Sequence, residues 1–217
     1  MNRRVALVLL IVLLVAGSES ARSESASSIV EKARNGFAAI NDYSADMRLD
    51  MKGDKVSVKG MVMRFYYKKP DKTRVIAKDG FAAVPRNLGL GNPLKELSKN
   101  ARPTLLRTEK KQGTDCYVLQ LDPVNASGAP SMLVWIDRTR YLVRATSTLG
   151  PNKLDTVWSY TRVGGKHDLP SRIEADLVVP GETGNRPTKA TVTFSNYQVN
   201  KGISDSIFQV QNQAKRR

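Results

Sequence analysis

Residues 43–52 alternate without a break. Tyr43, Ala45, Met47, Leu49 and Met51 are apolar, and Ser44, Asp46, Arg48, Asp50 and Lys52 stand between them. Successive side chains of a strand point to opposite faces, so a strict period of two predicts a β-strand with one dry and one wet face. Such half-solvated strands belong to antiparallel sheets. Gly53-Asp54 then supplies a turn, and a long strand is expected over 55–68, with Met61, Met63, Phe65 and Tyr67 on one face. Gly60 interrupts that strand and marks a bulge or bend. Pro70-Asp71 and Asp79-Gly80 bracket a third strand, 73–78.

The rest of the chain repeats this theme. Strands are expected near 104–111, 115–121, 131–137, 141–149, 154–162, 171–179 and 188–199. Turn chemistry separates them at Gln112-Gly113, 125–130, Gly150-Pro151-Asn152, Gly164-Gly165 and 181–187. No helical pattern lies between these strands, which excludes parallel βαβ units. Two helices are expected. In the first, Ile29, Ala33, Phe37 and Ile40 recur at helical spacing. In the second, Asn92 caps and Pro93 opens a short helix through Leu94, Leu97 and Ala101, which Pro103 ends. Residues 81–92, with Pro85, Gly89 and Gly91, read as a loop. The fold class is therefore mainly β with few helices, an antiparallel meander.

The N-terminus reads as an export signal. Arg3 and Arg4 precede an unbroken apolar run from Val5 to Ala16, too short to span a bilayer comfortably, and small residues follow at Gly17, Ser18, Ser20 and Ala21. Cleavage after Ser18 or after Ser20 fits, and a retained membrane anchor is the alternative; residues 1–20 are taken as a cleavable signal peptide and 21–217 as one domain, placed in the periplasm. Cys116 is the only cysteine, so no internal disulfide is available. The chain carries +15, and removal of Arg3, Arg4 and Glu19 leaves about +14. For an exported protein that charge favours an anionic membrane surface over nucleic acid. Lys68, Lys69, Lys72 and Arg74 around one turn, and Lys110-Lys111 at another, are the residues that could approach headgroups; a solvated turn is the more common meaning of such clusters.

Catalysis has little support. His167 is the only histidine and sits in the expected turn 164–168, where Asp168 reads as turn chemistry. A zinc site or a nucleophilic triad needs more partners. No phosphate-binding loop, metal spacing or nucleotide fingerprint occurs, so no enzyme activity, metal or cofactor is expected.

Across nearly all of 21–217 the chain resembles the LolA-like superfamily of periplasmic lipoprotein carriers and outer-membrane lipoprotein-sorting proteins. The carrying features, in order, are the leading helix, the alternating strand from Tyr43, and Gly60-Met-Val-Met-Arg-Phe-Tyr-Tyr-Lys-Lys-Pro-Asp71. Leu133-Val-Trp-Ile-Asp137 and Tyr197-Gln-Val-Asn-Lys-Gly-Ile-Ser-Asp-Ser-Ile-Phe208 follow. The resemblance implies a half-open β-barrel with a helical lid and an apolar concave face that holds acyl chains. An arginine before the proline latches the lid in the lipoprotein carrier. Lys69 occupies the matching position, a point donor in place of a planar fork.

Met47, Leu49, Met51, Met61, Met63, Phe65 and Tyr67 are the candidate lipid-binding residues, because methionine adapts to ligands of varied shape. An ordinary closed core explains the same residues. The expected function is a monomeric carrier or chaperone of lipoprotein or lipid acyl chains, bound for the outer membrane, with transfer partners in the inner and outer membranes. The alternative is a lipid-sensing envelope module like the RseB group, disfavoured by the few residues after Phe208.

Overall fold

The computed structural model describes residues 24–54, 56–77, 101–124, 130–150, 153–181 and 184–209. One helix leads, α1 (Ala26–Asn35). Ten strands follow: β1 (Asp42–Gly53), β2 (Ser57–Lys68), β3 (Lys72–Ala77), β4 (Ala101–Lys111), β5 (Thr114–Pro123), β6 (Met132–Asp137), β7 (Val143–Thr148), β8 (Leu154–Val163), β9 (His167–Gly181) and β10 (Gly184–Val199). A 3-10 turn at Asp205–Phe208 ends the described chain. The signal segment 1–20 and the helix expected from Asn92 fall outside the described residues, apart from the latter's end.

All ten strands form one antiparallel sheet in the order β3-β2-β1-β10-β9-β8-β7-β6-β5-β4. The meander is complete except that β10 closes back onto β1, which puts β3 and β4 at the two edges. The alternation of β1 fixes its register, since a slip of one residue would turn every apolar side chain to water. Leu49 faces Met61, while Met51 faces Val58, so β2 carries an extra residue there. Gly60 is that bulge. Its φ is +66°, and its N–H donates to Asp50 Oδ1 at 2.8 Å. That φ is what requires glycine; a Cβ here would meet only the mobile end of the Arg48 side chain, which can move aside.

The sheet curls so that side chains from β1–β2 and from β4–β5, far apart in the strand order, share one apolar core with Ile29, Val30 and Ala33 of α1. Phe37 and Ile40 complete the helical stripe but lie past the helix end, in the loop leading to β1. Ser25 caps α1, its side chain accepting from the Ser28 amide. A smaller cluster of Cys116, Val118, Trp135 and Ala145 lies apart from the main core, with Lys111 over the Trp135 ring and Glu109 accepting from its indole N–H. Burial raises the Cys116 thiol, as expected for a structural cysteine.

Three local readings change. Ala101 opens strand β4 instead of closing a helix, and Pro103 lies inside that strand. Proline lacks the ladder N–H, and β4 is an edge strand, the place in a sheet where its absence costs least. The turn before β9 is also shorter than expected: His167 and Asp168 belong to the strand. Pro187 likewise lies within β10, opposite Val178.

Candidate functional site

The seven candidate lipid-binding residues lie on one face of β1–β2, the face that carries α1. Met47 opposes Met63 and Leu49 opposes Met61, with Ala45 against Phe65 and Tyr43 against Tyr67 above them. Six are buried and Met61 is half-buried. Toward the β2–β3 turn this inner face is filled with rings. Tyr43 stands 5.2 Å from Tyr67, 5.6 Å from Phe65 and 5.7 Å from Tyr197, and Phe194 touches both Phe65 and Tyr197. Burial, with the neighbouring Tyr197 and Tyr67 hydroxyls, pushes the Tyr43 phenol well above its ordinary range, so it stays neutral. Burial does the same to Tyr160 and Tyr197.

Toward the other end the side chains shrink. Successive cross-strand partners run Met51, Ala190, Ala175, Thr156, Thr146, then Val134, Leu119 and Leu105. The Thr146 and Thr156 hydroxyls bond each other at 2.6 Å, and Trp158 Nε1 donates to Thr156 Oγ1 at 2.8 Å. The interior is thus broad-ringed at one end and, on β7–β10, lined by small residues at the other, with its few polar groups satisfied.

The roof is tied down on both sides. Before α1, Glu24 accepts from Lys32 and from the Tyr141 hydroxyl at 3.0 Å, and Lys32 lies 4.9 Å from the Tyr141 ring centre. The Lys32 hydrogen bond holds the Glu24 carboxyl below its ordinary range. After α1, Lys69 Nζ donates to the Ala38 carbonyl and, at 3.4 Å, to Asn41 Oδ1. Asn200 Nδ2 donates to the Ala39 carbonyl at 3.0 Å. Lys69 therefore sits against the loop that follows α1.

The other members of that basic turn face elsewhere. Lys68 and Lys72 both pair with Asp205, at 2.8 and 3.1 Å, and Arg74 donates to the Gln209 carbonyl. The Lys68 and Lys72 hydrogen bonds lower the Asp205 carboxyl. These side chains hold the 3-10 turn against β2–β3. Asp168, taken as turn chemistry, instead gathers Arg140 and Arg162. His167 pairs with Val163 at the start of β9. Among the described residues no group of three or more His, Cys, Asp or Glu could hold a metal ion, and no helix is long and apolar enough to cross a membrane.

Two hollows are described. One of about 660 Å³ lies by the β1–β2 turn, rimmed by Lys52, Lys153, Lys189, Asp54, Asp155 and Asp176. It is the larger, and Leu177, Val178 and Pro187 give it an apolar wall, while its rim carries partnered surface charges such as Lys153–Asp155 at 3.1 Å. The other, about 250 Å³, lies between α1 and the edge strand β4 and reaches the core residues Val30 and Leu121. Sequence reasoning missed this second hollow, because a helix–edge seam leaves no periodic signal. It also missed Tyr197 as a partner of the inner rings. A bulge by Asn196, whose φ is 52°, puts Phe194 and Tyr197 on one face three residues apart.

A family model described as "Uncharacterized protein" matches residues 94–213, more than half of the chain. The chain belongs to that family. No curated protein matches it by sequence. Among solved structures, it is similar to an "outer membrane lipoprotein-sorting protein domain" from Vibrio parahaemolyticus. The two are 18% identical, with a TM-score of 0.62 over 85% of this chain and 97% of that one. It is also similar to a DUF1329 family protein from Desulfovibrio piger, 10% identical, with a TM-score of 0.60 over 87% and 98%. A LolA superfamily protein from Nitrosomonas europaea is 14% identical, with a TM-score of 0.55 over 86% and 98%. At these identities the likeness is one of fold: the chain has the LolA-like half-open barrel with a helical lid.

Proposed function

We propose that this protein is an exported, non-catalytic carrier that shields acyl chains of lipoproteins or lipids inside its half-open barrel and conveys them toward the outer membrane. The observation that carries the reading is the inner face itself. A methionine-rich, aromatic-capped apolar surface on β1–β2 continues around the curled sheet under α1. Methionine side chains repack around chains of different shape, and an enclosed apolar surface removes an acyl chain from water at about 0.8 kcal/mol per methylene. A fold shared with a lipoprotein-sorting domain supports the reading.

The surface suits a membrane partner. At the end of the barrel that carries the β4–β5, β6–β7 and β8–β9 turns, Asp168 is shared by two arginines. Arg138 and Lys166 stand exposed on those turns, and Lys110 is exposed near the end of β4 beside one of them. They are the residues proposed to meet anionic headgroups, with membrane proteins as donor and acceptor of the cargo.

The test is native mass spectrometry of the protein purified from its own cell envelope. Mass increments matching a lipid or an acylated protein, lost on delipidation, are expected. A protein that emerges without adducts and takes up no fluorescent fatty acid would overturn the carrier reading.

A further inference from the structure

We infer that an acyl chain bearing an anionic head enters along the seam between α1 and the edge strand β4, with its head at Arg34 and its tail on Val30, Pro103 and Leu121. This rests on the carrier reading and adds where the cargo goes in and which headgroup charge is preferred.

The first argument is that α1 is poorly placed to swing away. Its leading end is tied to Tyr141 through Glu24 and Lys32, and its trailing loop to Lys69 and Asn200. Ile29, Val30 and Ala33 are buried beneath it. Lifting it would break hydrogen bonds at both ends and expose that stripe together, whereas an approach beside the helix breaks none of them.

The second argument is the cavity. The hollow of about 250 Å³ lies beside α1, against β4, which stands at the edge of the sheet among the described strands. Its floor is apolar: Val30 and Leu121 belong to the main core, and Ala101 packs against it. Its rim is polar, with Ser27, Glu31 and Arg34 on successive turns of one helix face. An apolar floor under a charged rim matches an amphiphile, tail inward and head outward.

The rim charges set the preference. Arg34 and Glu31 are both exposed, and Arg34 lies in the last helical turn. A carboxylate or phosphate head gains from Arg34 and is repelled by Glu31. The two residues therefore make opposite contributions to one ligand.

The probes are cis-parinaric acid and its uncharged methyl ester, followed by fluorescence with the full mature chain. Wild type should bind the acid more tightly than the ester. Arg34→Gln should weaken the acid about fivefold, roughly what a unit-charge contact at ~4 Å supplies in water, and leave the ester unchanged. Glu31→Gln should strengthen the acid and again spare the ester. Ser27→Trp, at an exposed position, should slow uptake of both by filling the seam, with the unfolding midpoint retained as the control for folding. If wild type binds both probes and none of the three variants changes uptake, the seam is not the route and the carrier reading survives. If wild type binds neither probe, both fall together.

Discussion

Lys69 Nζ donates to the carbonyl oxygen of Ala38 and so ties the β2–β3 turn to the loop that follows α1. The Lys69 backbone N–H also donates to the Asn41 carbonyl at 2.8 Å. Together they fix the loop in which Phe37 and Ile40 turn into the core. Replacing Lys69 by Met removes the ammonium while keeping the apolar stem. The expected result is a loss of about 1 kcal/mol in urea unfolding, with faster amide exchange at residues 37–40. Lys69→Arg should restore both. Exchange rates unaffected by Lys69→Met would mean the roof is held by its packing alone.

Asp137 and Arg144 make the most buried ion pair among those described, at 2.7 Å. Burial pushes the Asp137 carboxyl up, but Arg144 and the amides of Arg140 and Thr139 outweigh it, and the group ends below its ordinary value of 3.8. Burial is likewise outweighed at Asp168 by Arg162 and Arg140. A carboxyl depressed in the folded state contributes stability above its unfolded value, and that stability is lost as pH falls through the folded one. Unfolding free energy should therefore hold near neutrality and fall below about pH 4. Asp137→Asn should cost about 3 kcal/mol at pH 7, since it leaves Arg144 uncompensated, and should flatten the acid slope. An unchanged slope would assign acid sensitivity to other carboxylates.

Much of this architecture is legible in the sequence because its signals are local. The period-two run from Tyr43 to Lys52 specifies a strand, a face and a register at once, and Gly60 announces its own bulge through a backbone angle that other residues avoid. What the sequence hides depends on partners far along the chain. Lys68 and Lys72 look like free headgroup-binding lysines until Asp205, more than 130 residues away, is folded against them. Asp168 looks like a turn residue until Arg140 reaches it from another hairpin. Pro103 looks like a helix terminator until β4 is known to be an edge, where a missing N–H costs little. Within the candidate site, the shared face of Met47, Leu49, Met61 and Met63 follows from alternation, but the seam beside α1 requires the helix to be placed.

The reassigned charges change what a membrane-binding experiment should find. Lys68→Gln and Lys72→Gln together should loosen the C-terminal 3-10 turn and leave vesicle binding nearly intact, because those ammonium groups are engaged by Asp205. Lys110→Gln, Arg138→Gln and Lys166→Gln together should weaken co-sedimentation with anionic phosphatidylglycerol vesicles without affecting folding. Wild-type binding should decline as salt rises, since exposed charges are screened within ~10 Å at 0.1 M. Equal binding to anionic and neutral vesicles would leave the +15 charge as a solubility feature.

The interior itself is tested by comparing two methionines on one strand. Met63 is 1% exposed, opposite Met47 beneath the helical roof. A glutamine there buries an amide away from water, so Met63→Gln should cost ~1–3 kcal/mol whether or not the protein carries lipid. Met61 is half-buried, beside the bulge at Gly60 and toward the small-lined end of the inner face. Water can reach an amide at that position, so Met61→Gln should leave the unfolding midpoint nearly unchanged. If acyl chains lie along this face, the same substitution places a polar group against the tail and fatty-acid affinity should drop. Measuring unfolding and fatty-acid binding on both variants separates the two roles of the methionine face. Loss of affinity at Met61 without loss of stability supports a binding surface. Unaltered affinity at Met61, with destabilisation confined to Met63, would make the β1–β2 methionines ordinary core and move any acyl site away from them.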